Sequence, residues 1–296
     1  MTTAWRIIDS IGFNGRLASS RGRLYVGSDE VPLNDIAVLL VGPHCLLHES
    51  VFERSAAYGV TIVHCDWKGV PVSASVGWSS NSRVALRQKA QAELSVPRAK
   101  NAWMRLVIAK IKGQSEVLKA VGNKQAVAVS ALTKLVRSGD PSNIEARAAR
   151  IYWSGLSPES NFRRRPSQRW GFNSFLDYSY AIMRGLCLRG VVAAGLNPSL
   201  GVWHHQRSDA YALVDDLIEP FRSASDYRAL GAWSQFDSLD SASKRFLASV
   251  FDTPFDRSGT TVGTAVFNAA RSFGLYVEGR QRILDMPSFE ATGENG

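Results

Sequence analysis

The hydrophobic pattern of the chain changes period near residue 80, and that change limits the folds open to it. Before the break, apolar residues come in short runs suited to strands. Residues 16–19 and 23–26 flank Ser20-Arg21-Gly22, a hairpin connection, and residues 36–41 form an apolar run too short for an ordinary helix. Residues 60–63 and 70–75 read as further strands, with one short helix expected over 49–58. Gly77-Trp78-Ser79-Ser80-Asn81-Ser82 reads as a linker. Helical spacing then takes over at 83–94, 97–112, 115–121, 125–137, 143–153, 173–194, 214–222, 241–251 and 264–273. The expected fold class is therefore α+β. A small N-terminal β-rich domain (1–76) and a linker (77–82) precede a larger all-α C-terminal domain (83–285) that carries the candidate catalytic residues. A polar tail (286–296) is expected to be unstructured.

Composition narrows the classes of partner. Of 296 residues, 45% are hydrophobic and 21% charged, the balance of a globular protein with a substantial core. No apolar run reaches the roughly eighteen residues that a spanning helix requires, so no membrane role is expected. The first residues lack a basic segment followed by an apolar stretch, which points to a cytoplasmic protein. The formal net charge of +9 favours a polyanionic partner, of which nucleic acid is the commonest, although solubility alone also accounts for it.

The segment with most chemistry is Leu213-Val214-Asp215-Asp216-Leu217-Ile218-Glu219-Pro220-Phe221-Arg222. On one continuous helix Asp215, Asp216 and Glu219 share a face, where a divalent cation relieves their repulsion. A solvated acidic face is the ordinary alternative. Upstream, Gly201-Val202-Trp203-His204-His205 offers two histidines, of which an extended segment turns at most one towards the acidic helix. Asn143 is placed to cap a helix that carries Glu145 in its first turn, and Ala148 and Ala149 permit close approach by another backbone. Dipole stabilisation of a first-turn carboxylate is the ordinary reading of Glu145.

Two other clusters invite a functional reading. His44, Cys45, His48, His64 and Cys65 match no familiar zinc-ligand spacing and are read as packing residues. Arg147, Arg150, Arg163, Arg164, Arg165 and Arg169 fall close to Trp153, Phe162 and Trp170. Guanidinium forks suit phosphate oxygens and aromatic rings suit unpaired bases, so these arginines are candidate DNA contacts, with a solvated basic loop as the alternative.

Four stretches together resemble a known family: Asn143 to Trp153, Asn173 to Met183, Gly195 to His204, and Asp216 to Arg222. In order and spacing they are similar to the CRISPR-associated spacer-acquisition endonuclease/integrase (Cas-one) family, most like its type II members. Ala4-Trp5-Arg6, Val63-His64-Cys65-Asp66 and the run from Gln114 to Lys119 extend the likeness loosely. The resemblance implies that Glu145, His204 and Glu219 hold Mg²⁺ or Mn²⁺. It selects His204 over His205 and makes Asp216 an auxiliary acid of the catalytic site. Ala146, Asp209 and Ser223 depart from residues common in the family (glycine, asparagine and proline), and none of the three is a ligand position.

The resemblance also implies an activity. The enzyme would join the 3′-hydroxyl ends of short double-stranded DNA (prespacers) into CRISPR repeats by metal-dependent transesterification. It implies a homodimer formed through the β-rich domain, bound to a small Cas-two protein in a heterohexameric complex. A branched-DNA or repair nuclease without that partner is one alternative. A catalytically silent DNA-binding scaffold is another.

Overall fold

The computed structural model describes residues 6–67, 71–77, 83–156, 162–166, 168, 170–204 and 209–292. It divides into two compact units, Met1–Ser80 and Asn81–Gly296.

Among its described residues the first unit holds two four-stranded sheets and a helix. One sheet has the order β1-β5-β7-β8, from Arg6–Ser10, Ile36–Val41, Thr61–Cys65 and Pro71–Ser75. Its first three strands are parallel and β8 returns antiparallel. Every residue of β5 is buried, as expected of an inner strand with parallel neighbours on both sides. The other sheet has the order β4-β3-β2-β6, from Asp29–Pro32, Arg23–Val26, Gly15–Ser20 and Cys45–Leu47. Helix α1 (Glu49–Tyr58) contributes Val51 to a core that includes Leu17, Leu24, Leu33, Leu39 and Ile62. The expected hairpin forms, with Leu17 opposite Val26 and Ser20 opposite Arg23. Strands β1, β4 and β6 lie outside the runs read from the sequence, because each is short and takes its order from its neighbours. Three of the cysteines and histidines of this unit have side-chain roles in the fold. Cys45 Sγ donates to the Ser10 carbonyl (3.0 Å), His48 caps α1, and His64 Nε2 meets Ser75 Oγ at 2.9 Å.

The second unit is helical. Helices α2 (Val84–Ala92), α3 (Val96–Ala120), α4 (Gln125–Leu132), α5 (Ile144–Gly155) and α6 (Phe172–Ala193) precede α7 (Ala212–Leu217). Helices α8 (Arg222–Gln235), α9 (Ser241–Ala248) and α10 (Val262–Val277) follow. The two helices expected at 97–112 and 115–121 are one. Gly113, where a break was expected, lies inside α3, and a Cβ there would sit 2.7 Å from Ser223 Oγ, so the close packing on Ser223 suits glycine at this position. Similarly, the helix expected over 214–222 is three pieces. Pro220 has no N–H for the α-helical ladder, so a 3-10 turn over Glu219–Phe221 carries the chain from α7 into α8. The tail also departs from expectation. Phe289 is 3% exposed and packs on Tyr227 and Phe255, and the Glu290 N–H donates to the Phe255 carbonyl. One buried ring is enough to hold this otherwise polar stretch; 293–296 lie outside the described residues.

Candidate metal centre

The first turn of α5 is fixed by two side chains upstream. Asn143 adopts a left-handed backbone and accepts from the Ala146 N–H, while the Asp140 carboxylate accepts from the N–H groups of Ile144 and Glu145, both at 2.9 Å. This capping holds the backbone from which Glu145 emerges. Glu145 Oε1 receives the Lys110 ammonium of α3 at 2.5 Å. The same nitrogen lies 2.6 Å from Glu219 Oε2, and the other oxygen of Glu219 accepts from Arg222 Nε at 2.8 Å. Two carboxylates thus flank one cation.

Electrostatics dominate at Glu219, which is 5% exposed. Burial alone would raise its pKa, but the Arg222 and Lys110 charges outweigh it and hold the carboxyl at about 2. Burial likewise opposes the Lys110 ammonium, and the facing carboxylates of Glu219 and Glu145 keep its pKa above the ordinary value.

His204 is positioned by a separate device. Asp216, on α7, is completely buried. One of its oxygens accepts from the N–H groups of Val202 (2.6 Å) and Trp203 (3.0 Å). The other meets the His204 N–H at 3.3 Å and His204 Nδ1 at 2.6 Å. The loop closes this tightly over the carboxylate because residue 201 is glycine. A Cβ there would lie 2.6 Å from the His204 carbonyl oxygen and 2.9 Å from Asp216 Oδ2. Trp103 packs edge-on against the imidazole and stacks on Trp203 with ring centroids 5.4 Å apart. The Asp216 hydrogen bond raises the His204 pKa against an opposing effect of burial.

The expectation that Asp215, Asp216 and Glu219 share one face does not hold. The 3-10 turn rotates Glu219 towards Lys110, Asp216 points into the 201–204 loop, and Asp215 pairs with Arg184 at 2.6 Å. Among the described residues no three His, Cys, Asp or Glu side chains converge closely enough to form a ligand cluster. Glu145 and Glu219 meet only through the Lys110 ammonium, and His204 turns Nδ1 to Asp216. His205 lies outside the described residues.

The donor set nevertheless fits a divalent cation. Glu219 Oε2 is buried, and its charge is met by the Lys110 ammonium at 2.6 Å. A carboxylate oxygen buried in that state calls for a cation, and Lys110 stands where one belongs. With Nδ1–H directed at Asp216, the neutral imidazole keeps its lone pair on Nε2, as in carboxylate–histidine–metal arrangements.

Beside the carboxylates lies a cavity of about 260 Å³, with Lys110, Gln114, Trp153, Arg164, Tyr180 and Arg222 on its wall. Asp226 closes it, accepting from Tyr152 (2.8 Å) and Tyr180 (2.5 Å). Burial raises the Asp226 carboxyl to about 6, against the lowering effect of both tyrosine hydrogen bonds. Of the arginines singled out in the sequence, Arg164 faces this cavity and is held by Asp177 at 2.5 Å. Arg147, Arg150, Arg163 and Arg165 are exposed, as is Trp170, and Arg169 lies outside the described residues. Sequence reasoning passed over Lys110, Arg222 as a partner of Glu219, Asp226 and Asp140. Only Arg222, three residues after Glu219 on a helical pattern, left a local signal.

Comparison with known proteins places the chain in a family. The family model described as CRISPR associated protein Cas1 matches residues 13–235. The chain belongs to the Cas1 family. It is 31% identical over 237 residues to the CRISPR-associated endonuclease Cas1 of Neisseria meningitidis serogroup C, covering 78% of this chain and 77% of that protein. Among solved structures, a casposase bound to integration product superposes with a TM-score of 0.78 at 18% identity, covering 98% of this chain and 95% of that one. A Cas6-RT-Cas1–Cas2 complex gives a TM-score of 0.75 at 18% identity, covering 99% of this chain and 37% of that one. At those identities the superpositions speak for the Cas1 fold, and the sequence relatives carry the endonuclease assignment.

Proposed function

We propose that this Cas1-family chain is a CRISPR adaptation integrase. It joins the 3′-hydroxyl ends of short double-stranded DNA into CRISPR repeats, with Glu145, His204 and Glu219 as ligands for Mg²⁺ or Mn²⁺. The observation that carries the reading is the pair of carboxylates held around one cation, the buried Glu219 oxygen being met by the Lys110 ammonium, on a scaffold that also orients a histidine. In the joining step the 3′-oxygen of the incoming strand forms a bond to phosphorus as the bond to the leaving 3′-oxygen breaks. One hydroxyl proton is lost and one gained, so the number of phosphodiesters is unchanged. A divalent cation bound here supplies Lewis-acid stabilisation of charge on the phosphate and on the attacking or leaving oxygen.

The chain's own residues prepare that chemistry. Asp216 acts through His204 as a positioning residue, Arg222 keeps Glu219 ionised, and Trp103 limits the swing of the imidazole. Arg164 offers positive charge along the cavity, and exposed Arg147, Arg150, Arg163 and Arg165 extend it outward for DNA phosphates, with Arg169 as a further candidate. A homodimer formed through the β-rich unit, bound to Cas2, is the assembly we infer. The Cas6-RT-Cas1–Cas2 complex among the structural neighbours supports that partner.

The deciding experiment incubates the protein with Cas2, 3′-hydroxyl DNA and a CRISPR-repeat plasmid in Mg²⁺ or Mn²⁺. Joining should occur at the repeat and vanish in Glu219→Ala. Equal joining into random DNA without Cas2 would favour a branched-DNA or repair nuclease, and joining by Glu219→Ala in Mn²⁺ would remove the metal role.

A further inference from the structure

Gln114 lies one turn beyond Lys110 on α3, on the same helix face and on the wall of the same cavity. Its side chain is buried, and its Oε1 accepts no hydrogen bond. Buried acceptors seldom go without a donor, so this oxygen can take one. The nearest cation on the same face is the Lys110 ammonium, which now lies 2.5 and 2.6 Å from Glu145 and Glu219.

Both cations cannot occupy the carboxylates together. Mg²⁺ binds carboxylate oxygen at roughly 2.0–2.1 Å, which would put it against an ammonium holding the same two oxygens. The carboxylates are the fixed partners: Arg222 grips Glu219, and Asp140 and Asn143 secure the turn bearing Glu145. Lys110 is attached by a flexible four-carbon stem and is the group free to turn.

We propose that Lys110 is a resident cation with two positions. Before metal enters, its ammonium holds Glu145 and Glu219 together and keeps their mutual repulsion from spreading the site. When a divalent ion binds, the ammonium yields those oxygens and turns to Gln114 Oε1, joining Arg164 and Arg222 on the cavity wall. The inference rests on the metal reading above. It adds that metal affinity is set by competition with a side chain of the protein itself.

The test is a Mn²⁺ titration of the full chain without DNA, followed by electron paramagnetic resonance, with melting temperatures taken in parallel. Wild type should bind Mn²⁺ and Glu219→Gln should not. Lys110→Met should melt lower without metal, recover with Mn²⁺, and bind Mn²⁺ about tenfold more tightly, the scale on which neighbouring groups tune metal sites. Gln114→Leu should not lower the metal-free melting temperature, because it removes a buried acceptor without a donor, and should weaken Mn²⁺ binding about tenfold, since the displaced ammonium loses its acceptor. Equal or weaker binding by Lys110→Met overturns the competition. Unchanged binding by Gln114→Leu overturns the second position, and that variant decides the matter alone if Lys110→Met does not fold. Wild type that binds no Mn²⁺, or binds it equally after Glu219→Gln, removes the metal reading and this inference with it.

Discussion

Replacing Asp216 by asparagine separates positioning from ligation, because the change keeps the shape and alters only what one atom offers. In the native protein both carboxylate oxygens are acceptors, facing three backbone N–H groups and His204 Nδ1. In Asp216→Asn one of those atoms becomes an NH₂. If the remaining oxygen keeps Val202 and Trp203, the new donor confronts the His204 N–H and Nδ1. The imidazole answers by switching tautomer, accepting at Nδ1 and placing its proton on Nε2, the nitrogen required for metal. The loss of a charge-assisted bond in a fully buried site costs about 1.5–3 kcal/mol of stability. Disturbing a carboxylate behind a metal-binding histidine lowers metal affinity by roughly 10–100-fold, and a tautomer switch belongs at the upper end. Urea denaturation reads the first quantity and Mn²⁺ titration the second. Wild-type Mn²⁺ affinity in a folded Asp216→Asn protein would refute the reasoning, since the imidazole would not then depend on Asp216.

Other expected outcomes concern the loop and the buried acid. Gly201→Ala places a methyl 2.6 Å from the His204 carbonyl oxygen, so the loop must shift; overpacking of this kind costs about 1–3 kcal/mol, and an unchanged urea midpoint would contradict the close approach. Asp226 has a folded pKa of about 6, above its ordinary value of 3.8. The stability contributed by this raised pKa is fully present below pH 3.8 and is lost as the pH rises through 6, on the order of 3 kcal/mol in all. Asp226→Asn should flatten that part of the stability profile between pH 4 and 7; an identical slope in the two proteins would show that Asp226 is not its source.

Much of this architecture is local and therefore legible in sequence. The apolar run of β5, the hairpin of β2 and β3, and the Asn143 cap each follow from a few adjacent residues. Elements stabilised from a distance were not legible. Strand β6 exists because Gly15, Arg16 and Leu17 offer it an edge, and Gly113 reads as a helix break until Ser223 is seen opposite it. The same division runs through the site. Glu145, His204 and Glu219 were singled out by residue type and by family resemblance. Lys110 was not, since an exposed lysine on an amphipathic helix has the same local signature as one buried between carboxylates. Local spacing also misled: Asp215, Asp216 and Glu219 share a face only if Pro220 does not interrupt the α-helical ladder, and it does.

The contact between α3 and α8 links the fold to the site. Gly113 and Ser223 meet side by side, Lys110 and Gln114 flank the glycine, and Glu219 and Arg222 precede the serine. The separation of the two backbones at this point therefore sets how far Lys110 must reach to find Glu219. Position 223 lies in the first turn of α8, where a proline is tolerated as well as a serine, so its backbone demand is slight. Its side-chain demand is set by Gly113. A valine at 113 would press on Ser223 Oγ and Cβ, which lie 2.7 and 2.9 Å from even a first added carbon, and would force the helices apart. Gly113→Val should thus lose about 1–3 kcal/mol of stability and weaken Mn²⁺ binding, although residue 113 touches no ligand. Adding Ser223→Gly removes the two closest opposing atoms, leaving Phe289 Cβ at 3.3 Å, and should restore most of the Mn²⁺ affinity, giving a strong coupling in a double-mutant cycle. If the two changes add independently, the spacing of α3 and α8 does not govern the metal centre.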